Sequence, residues 1–181
     1  MNCKEHDPSP RSYSIFKTTI GWCGVVNSKK GALRILIGYP KREQLMREIL
    51  DEFGNSIINS PARGNMVEEI KRYLSGEKVF FHCAIDWSSL SPFQRKVFKA
   101  ARKIPYGTIE TYGNLALKAG CPGGARAVGR ALSRNPFPLV IPCHRIVRGD
   151  GKLGGFSAVG GIRLKRKLLK LGGVNKKFRK K

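Results

Sequence analysis

A cysteine and a histidine stand side by side at Cys143 and His144, between Pro142 and Arg145. A thiol close to an imidazole, with positive charge nearby, is how proteins prepare a thiolate nucleophile near neutral pH. The apolar residues 138–141 predict a short strand leading into the cysteine. Adjacent residues of a strand point to opposite faces, so the two side chains can cooperate only if the chain turns after Pro142 or a water links them. The alternative is a buried, unreactive cysteine at a strand end.

The positive charge of the chain is concentrated in its second half. The whole chain has 35 Lys and Arg against 12 Asp and Glu, a net charge of +23. Residues 1–90 carry 13 basic and 10 acidic residues, whereas residues 91–181 carry 22 basic residues and only two acidic ones, Glu110 and Asp150. This asymmetry indicates a surface that binds a polyanion. Nucleic acid is the first candidate, because phosphates attract Lys and Arg whatever the base sequence.

Membrane and secreted classes are disfavoured. No segment approaches the roughly 18 continuous apolar residues of a membrane-spanning helix, and residues 1–7 are not followed by the apolar region of a signal peptide. Five cysteines at irregular spacing are typical of a reduced intracellular protein rather than of a disulfide framework. We therefore expect a cytoplasmic, nucleoid-associated protein, or a nuclear one in a eukaryote, with no membrane partner.

The first half of the chain predicts an α+β module. Three β-like runs separated by turn-prone residues come first, and two amphipathic helices follow them. The runs are 13–16, 20–26 and 32–37, and the helical faces are Leu45, Ile49, Leu50, Phe53 and then Met66, Val67, Ile70, Tyr73, Leu74. This order is typical of an antiparallel meander with helices. A helix start at Ser91 and Pro92 places a boundary just before it, near residues 86–90.

The second half predicts a series of short helices, at 92–104, at 108–119 with Thr108 as its cap, and at about 125–134. Two short helices joined by a glycine-containing turn in a basic context are a candidate helix-turn-helix, although structural hairpins share this pattern. One face of the last helix is Ala and Gly, which suits the minor groove, with Arg126 filling the gap left by a displaced base. The alternative is a small-residue face for close helix packing.

Several motifs in this half together resemble one family. In order, they are Ile104-Pro105-Tyr106-Gly107, Thr111-Tyr112-Gly113, Ala125-Arg126-Ala127-Val128-Gly129-Arg130-Ala131-Leu132, Arg134-Asn135-Pro136, Ile141-Pro142-Cys143-His144-Arg145-Ile146-Val147 and Gly154-Gly155-Phe156-Ser157. With this order and near-family spacing, residues 91–172 resemble the methylated-DNA–protein-cysteine methyltransferases, also called O6-alkylguanine-DNA alkyltransferases. The first 85 residues match that family only in their general layout of strands and then helices.

The resemblance implies an α+β fold in three parts. Residues 1–88 would form an RNase H-like α/β domain, and residues 89–174 a small helical DNA-binding and alkyl-transfer domain with a winged or helix-turn-helix-like motif. Residues 175–181 would be a basic tail. The implied protein is a monomer without cofactor or metal, and its partner is double-stranded DNA containing O6-alkylguanine.

The resemblance also assigns roles to individual residues. Cys143 would accept the alkyl group, with His144 acting through a water as its base, Tyr112 pushing on the 3′ phosphate and Asn135 bracing the turn before the cysteine. The residues implied to contact DNA are Ala125, Arg126, Ala127, Gly129, Arg130, Ala131, Arg134 and again Tyr112. Those implied to form the base pocket are Leu132, Pro138, Ile146, Gly154, Phe156 and Ser157.

The implied reaction is irreversible. A thiolate displaces guanine from the saturated carbon on its O6, and the resemblance implies O4-alkylthymine as a further substrate. The product is a thioether, which has no carbonyl for water to attack, so each protein molecule would react once.

One position departs from the family. The helix after the pocket loop ordinarily ends Leu-Leu-x-x-Glu-Gly, and that glutamate orients the active-site histidine. Here Gly172 stands in its place, and two extra residues, Ala158 and Val159, precede Gly160. We therefore expect weaker activation of Cys143.

Other functions are compatible with parts of the sequence. A non-catalytic binder of alkylated DNA would lack the active-site cysteine, whereas Cys143 is present. A helix-turn-helix regulator would leave the Pro-Cys-His-Arg motif unused, and a Cys-His hydrolase would turn over. For zinc, the available residues are Cys3, His6, Cys23, His82 and Cys83, but their spacing fits no metal pattern, so no metal site is predicted.

Overall fold

The first half folds as a four-stranded sheet. The computed structural model of the protein describes residues 11–55, 57–60, 64–174 and 178. The strands are β1 (Ser12–Thr18), β2 (Gly21–Ser28), β3 (Gly31–Tyr39) and β4 (Ile58–Asn59). The first three form the predicted antiparallel meander, and β4 pairs with β1 in parallel, which gives the order β3-β2-β1-β4.

Two helices cover opposite faces of this sheet. α1 (Arg42–Phe53) packs with Leu36 and Tyr39 of β3, whereas α2 (Met66–Leu74) shares a cluster with Ile35 and Ile37 of the same strand. This division follows from the strand period of two, because successive side chains point to opposite faces. The α2 face of the sheet is the one that meets the second half of the chain.

The second half is mostly helical. Its elements are α3 (Pro92–Arg102), β5 (Glu110–Thr111), α4 (Tyr112–Lys118), α5 (Ala125–Ser133), β6 (Ile146–Val147) and α6 (Gly161–Leu171), with a 3₁₀ turn at Cys143–Arg145. β5 and β6 pair in parallel. As predicted, Ser91 caps α3, and Gln94 completes a capping box with Ser91.

Two predicted elements are wrong in detail. The helix expected to start after Thr108 begins at Tyr112, because the Thr111 hydroxyl accepts the N–H of Asn114 and residues 110–111 pair with β6 instead. The strand expected at 138–141 is a series of turns. Leu139 has φ 75°, a left-handed conformation that interrupts any strand. The chain therefore turns ahead of the cysteine.

One buried cluster joins the two halves. Tyr73 of α2 and Ile35 of β3 share it with Phe98 of α3 and with Phe137 and Ile141 of the turn before the cysteine. The Ile35 N–H also donates to the carbonyl of Pro136 at 2.8 Å. The first half thus braces the segment that carries Cys143. Among the described residues, no helix has the length and apolar character that crossing a membrane requires.

Candidate functional site

The Cys143 sulfur is held by one amide side chain. Cys143 is 8% exposed, and its Sγ accepts a hydrogen bond from Asn135 Nδ2 at 3.2 Å. The same Nδ2 donates to the Ile141 carbonyl at 3.0 Å, and Asn135 Oδ1 accepts the N–H of Phe137 at 3.0 Å. Asn135 therefore ties the end of α5 to the turn before Cys143, the bracing position expected from the sequence.

The surroundings of Cys143 favour the thiol in the resting protein. Burial raises the pKa of Cys143, while the Asn135 hydrogen bond and the charge of Lys165 oppose that rise. Because the raising cause is the largest, thiolate is a minor species near neutral pH. Asn135, Lys165 and the backbone groups of Cys143 and His144 stabilise the thiolate when it forms.

Lys165 is a buried lysine that sequence reasoning missed. Its Nζ donates to the carbonyls of Ile146 and Leu153, both at 2.6 Å, and of Gly155 at 3.3 Å. Burial lowers its pKa to about 8, while Cys143 opposes that shift. The sequence offers one sign that this lysine is buried, its position next to Leu164 on the apolar face of α6. Lysines occupy such positions in other amphipathic helices too, so the sign is not specific.

Replacing Lys165 by methionine is expected to destabilise the fold by about 2 kcal/mol, because buried carbonyls lose their donor. Denaturant unfolding measures the change. Lys167 on the same helix is the matched control: it is exposed and donates to the Thr19 carbonyl, so Lys167→Met should shift stability by less than about 0.5 kcal/mol. Equal losses in the two variants would contradict a structural role for the buried ammonium.

His144 is fully buried and lies against α2. Its Nε2 is 2.9 Å from the Tyr73 hydroxyl, which also accepts from Arg145 Nη2 at 3.4 Å. The pKa of His144 is lowered well below its usual value, first by burial and then by the charges of Arg145 and Lys165. The ring is therefore neutral at physiological pH.

The two acidic residues of the second half pair elsewhere. Glu110 accepts from Lys118, and Asp150 pairs with Arg148 at 2.9 Å. Neither carboxylate orients the histidine. The Glu110 side chain is 13% exposed and that of Asp150 is 39% exposed. The second half has 22 basic residues against these two acids, so most of its positive charge is uncompensated.

Two cavities meet at Cys143. One, of about 360 Å³, lies under α5 and is lined by Tyr112, Gly129, Leu132, Ser133, Cys143, Gly155, Phe156 and Ser157. The other, of about 460 Å³, lies towards β3, and its lining includes Arg34, Glu48, Asn135 and Pro138 as well as Cys143. Cys143 thus lines both cavities, although the residue is only 8% exposed.

Most of the predicted pocket residues lie at these cavities. Leu132, Phe156 and Ser157 line the smaller one, and Pro138 lines the larger. Gly154 packs on Tyr112: a Cβ there would lie 3.2 Å from the tyrosine ring. Ile146 is buried in the core and lines neither cavity. Its carbonyl accepts a hydrogen bond from Lys165. Ser133 lines both cavities and was not predicted.

The predicted DNA-contacting residues of α5 divide between two faces. Arg126, Arg130 and Arg134 are exposed, while Ala125, Ala127 and Gly129 are partly exposed. Ala131 is 6% exposed and lies in the core cluster, because it shares the inward face with Val128 and Leu132; its contact with DNA stays a prediction. Tyr112 packs beside this helix, 3.7 Å from where a Gly129 Cβ would stand.

The described residues contain no cluster of three or more His, Cys, Asp or Glu side chains placed to hold a metal ion. Within that part of the chain Cys23, Cys83, Cys121 and Cys143 are free thiols. Cys3, His6 and, apart from Phe178, the basic tail from residue 175 lie outside the described residues.

The chain is similar to known proteins over nearly its whole length. Residues 92–174 match the family model for the DNA-binding domain of 6-O-methylguanine DNA methyltransferase. A methylated-DNA–protein-cysteine methyltransferase of Sulfolobus acidocaldarius is 38% identical over 154 residues, which is 84% of this chain and 93% of that protein. One from Methanothermobacter thermautotrophicus is 38% identical over 132 residues, 72% of this chain and 73% of that protein.

A solved structure agrees with these sequence matches. The crystal structure of Mycobacterium tuberculosis OGT in complex with DNA superimposes with a TM-score of 0.74 at 31% identity, covering 90% of this chain and 92% of that one. The α+β prediction is confirmed by this likeness. A shared fold, two relatives matched over most of their length and a matched DNA-binding domain lead to one conclusion: the chain belongs to the methylated-DNA–protein-cysteine methyltransferase family.

Proposed function

We propose that this protein repairs DNA by direct reversal of damage, moving the alkyl group of O6-alkylguanine onto Cys143. The observation that carries the proposal is the placement of Cys143 Sγ. Cys143 lines a cavity together with Gly129, Leu132 and Ser133 of α5, and its Sγ accepts the Asn135 amide N–H. The same helix carries the exposed side chains of Arg126 and Arg130, so one helix contributes both to the cavity of the nucleophile and to the basic surface.

All atoms and charges of the proposed reaction are accounted for without a cofactor. The Cys143 thiolate attacks the saturated carbon on O6, an S–C bond forms, the C–O6 bond breaks, and the guanine anion leaves and takes a proton. The thiol proton is lost when the thiolate forms. The thioether has no leaving group that water can displace readily, so we infer a single turnover for each protein molecule.

The damaged base must leave the helix stack to react. Cys143 is 8% exposed and lies below the surface, so a base inside a duplex does not reach it. We infer that α4 and α5 act as a helix-turn-helix in the minor groove, with Arg126 filling the gap left by the flipped base. Arg130 and Arg134, exposed on the same helix, would contact phosphates.

The smaller cavity suits an alkylated base. Tyr112 and Phe156 supply aromatic surface, and the Ser157 side chain and the Gly155 backbone supply polar groups. We infer that these groups hold the flipped guanine with its O6 substituent towards the sulfur. O4-alkylthymine presents its alkyl group on an equivalent exocyclic oxygen, and we propose it as a second substrate. The proposal also includes an RNase H-like fold for the first domain and a monomeric state for the protein.

The proposed function is tested by the number of guanines that each protein molecule repairs. The protein is incubated with a tenfold excess of duplex DNA containing O6-methylguanine, and repaired guanine is counted against protein over time. We expect one equivalent and then no further product. Continued product formation would indicate a hydrolase, and no product with retained DNA binding would indicate a non-catalytic binder; either result overturns the proposal.

A further inference from the structure

The position of the family's glutamate is occupied by Gly172. This glycine follows α6, at the level of Tyr73 in α2. Among the described residues, no carboxylate forms an ion pair or a hydrogen bond with His144 or Arg145. The buried histidine and its arginine neighbour therefore need another group to fix their orientation.

The Tyr73 hydroxyl lies where a side chain at position 172 would begin. A Cβ built on Gly172 would lie 3.3 Å from Tyr73 Oη, and that oxygen is 2.9 Å from His144 Nε2. Tyr73 is fully buried, and its ring packs edge-on against the imidazole, with centroids 6.1 Å apart. Packing on all sides thus fixes the direction of the hydroxyl.

We propose that Tyr73, from the first half of the chain, is the positioning residue of His144 and takes the place of the missing glutamate. The inference rests on the proposed function, since it concerns the histidine beside the alkyl acceptor. Tyr73 lies outside residues 92–174, the segment that the family model matches. The N-terminal half therefore completes the active site as well as supporting it.

Tyr73 couples the histidine tautomer to the direction of its own hydroxyl. Arg145 can only donate, so the Tyr73 oxygen accepts from Arg145 Nη2. In the contact between Tyr73 Oη and His144 Nε2 either atom can be the donor, depending on the tautomer. We assign the hydroxyl as the donor, which gives its proton a partner and places the ring proton on Nδ1, a buried atom without a hydrogen-bond partner among the described residues. The ¹⁵N shifts of His144 test this assignment.

A phenol and a carboxylate have different effects on this ring. A carboxylate favours the imidazolium, whereas a neutral hydroxyl does not. Burial raises the pKa of Tyr73, with Arg145 opposing, so the hydroxyl keeps its proton. The charged groups that act on His144 are Arg145 on its own turn and Lys165 from α6, and both disfavour a second positive charge. The Cys143 proton is therefore lost to solvent, and the alkylation rate climbs with pH through neutrality and beyond.

The first test compares two tyrosines. Tyr73→Phe should lower the alkylation rate at pH 7 about tenfold, because the ring loses the hydrogen bond that orients it. It should also change the ¹⁵N shifts of His144 from one pure tautomer to a mixture. Tyr106→Phe is the matched control, because its ring also contacts Arg145, at 5.7 Å, but its hydroxyl donates to the Leu171 carbonyl. That variant should keep the wild-type tautomer.

The second test restores a carboxylate. Gly172 has φ −77°, a backbone conformation that any residue adopts. A Cβ there would lie 3.1 Å from the Leu168 carbonyl oxygen and 3.3 Å from Tyr73 Oη, and Tyr73→Phe removes the second of these contacts. In Tyr73→Phe/Gly172→Glu we expect the rate at pH 6–7 to recover and its climb with pH to flatten. A carboxylate beside Nε2 raises the pKa of the imidazole, and the thiolate then forms as an ion pair.

The outcomes separate this inference from the function on which it rests. Wild-type rate, pH profile and ¹⁵N shifts in Tyr73→Phe would overturn the role of Tyr73. Equal effects of Tyr73→Phe and Tyr106→Phe on the tautomer would overturn it too. An unreactive wild-type protein would overturn the proposed function instead, and the ¹⁵N shifts would still decide whether Tyr73 fixes the ring.

Discussion

Cys143→Ser is expected to abolish alkyl transfer and to leave DNA binding intact. A serine hydroxyl is a far weaker nucleophile than a thiolate near neutral pH, and the reaction has no second nucleophile at this site. The sulfur lies beneath the α5 surface and makes its hydrogen bond inward, to Asn135. Binding to an O6-methylguanine duplex should therefore change less than about threefold, while repair falls below detection.

The matched control is Cys121→Ser. Cys121 is a free, partly buried thiol in the turn before α5, and its Sγ donates to the Ala116 carbonyl at 3.3 Å. We expect repair at the wild-type level in this variant. Residual repair by Cys143→Ser, or its loss in Cys121→Ser with binding retained, would place the acceptor elsewhere.

Arg126→Ala is expected to slow repair in duplex DNA on the order of a hundredfold, because holding a base outside the stack costs a few kcal/mol. Reaction with free O6-benzylguanine should change little, since this substrate needs no flipping. The Arg126 side chain is exposed and lines neither of the two cavities at Cys143. Single-turnover rates on the two substrates measure the difference.

Arg130→Ala serves as the control for this result. Arg130 is exposed one helical turn further along α5, where a phosphate contact is expected. Its loss should weaken binding to all duplexes and reduce the salt dependence by about one counterion, with a near-normal rate at saturating DNA. If Arg126→Ala slows both substrates equally, Arg126 has a structural role.

The reactive residues of the site were predictable from the sequence, whereas the residues that hold them in position were not. Residue type and order in the chain single out the Pro-Cys-His-Arg motif and the Ala and Gly face of α5 with Arg126, whereas the role of Asn135 came only from the resemblance to the family. The turn at 138–141 was missed because the left-handed φ of Leu139 is set by packing and not by its own propensity. An apolar run alone does not distinguish a strand from such a turn.

Tyr73 and Lys165 were missed for a different reason. Tyr73 was assigned to the apolar face of its helix, and that assignment is confirmed, but the partner of its hydroxyl lies 71 residues away along the chain. Lys165 is one of several basic residues in α6, and the sequence does not distinguish it from the others. Long-range pairing of a polar tip on an otherwise apolar side chain leaves no local pattern, so only the fold shows it.

The most direct measurement locates the alkyl group. After reaction with O6-methylguanine duplex, the protein is digested and its cysteine peptides are weighed. We expect a gain of about 14 Da, one methyl for one hydrogen, on the Cys143 peptide alone. The peptides of Cys3, Cys23, Cys83 and Cys121 should stay unmodified. Methyl on any of these four, with Cys143 unmodified, would contradict the assignment of Cys143 as the acceptor.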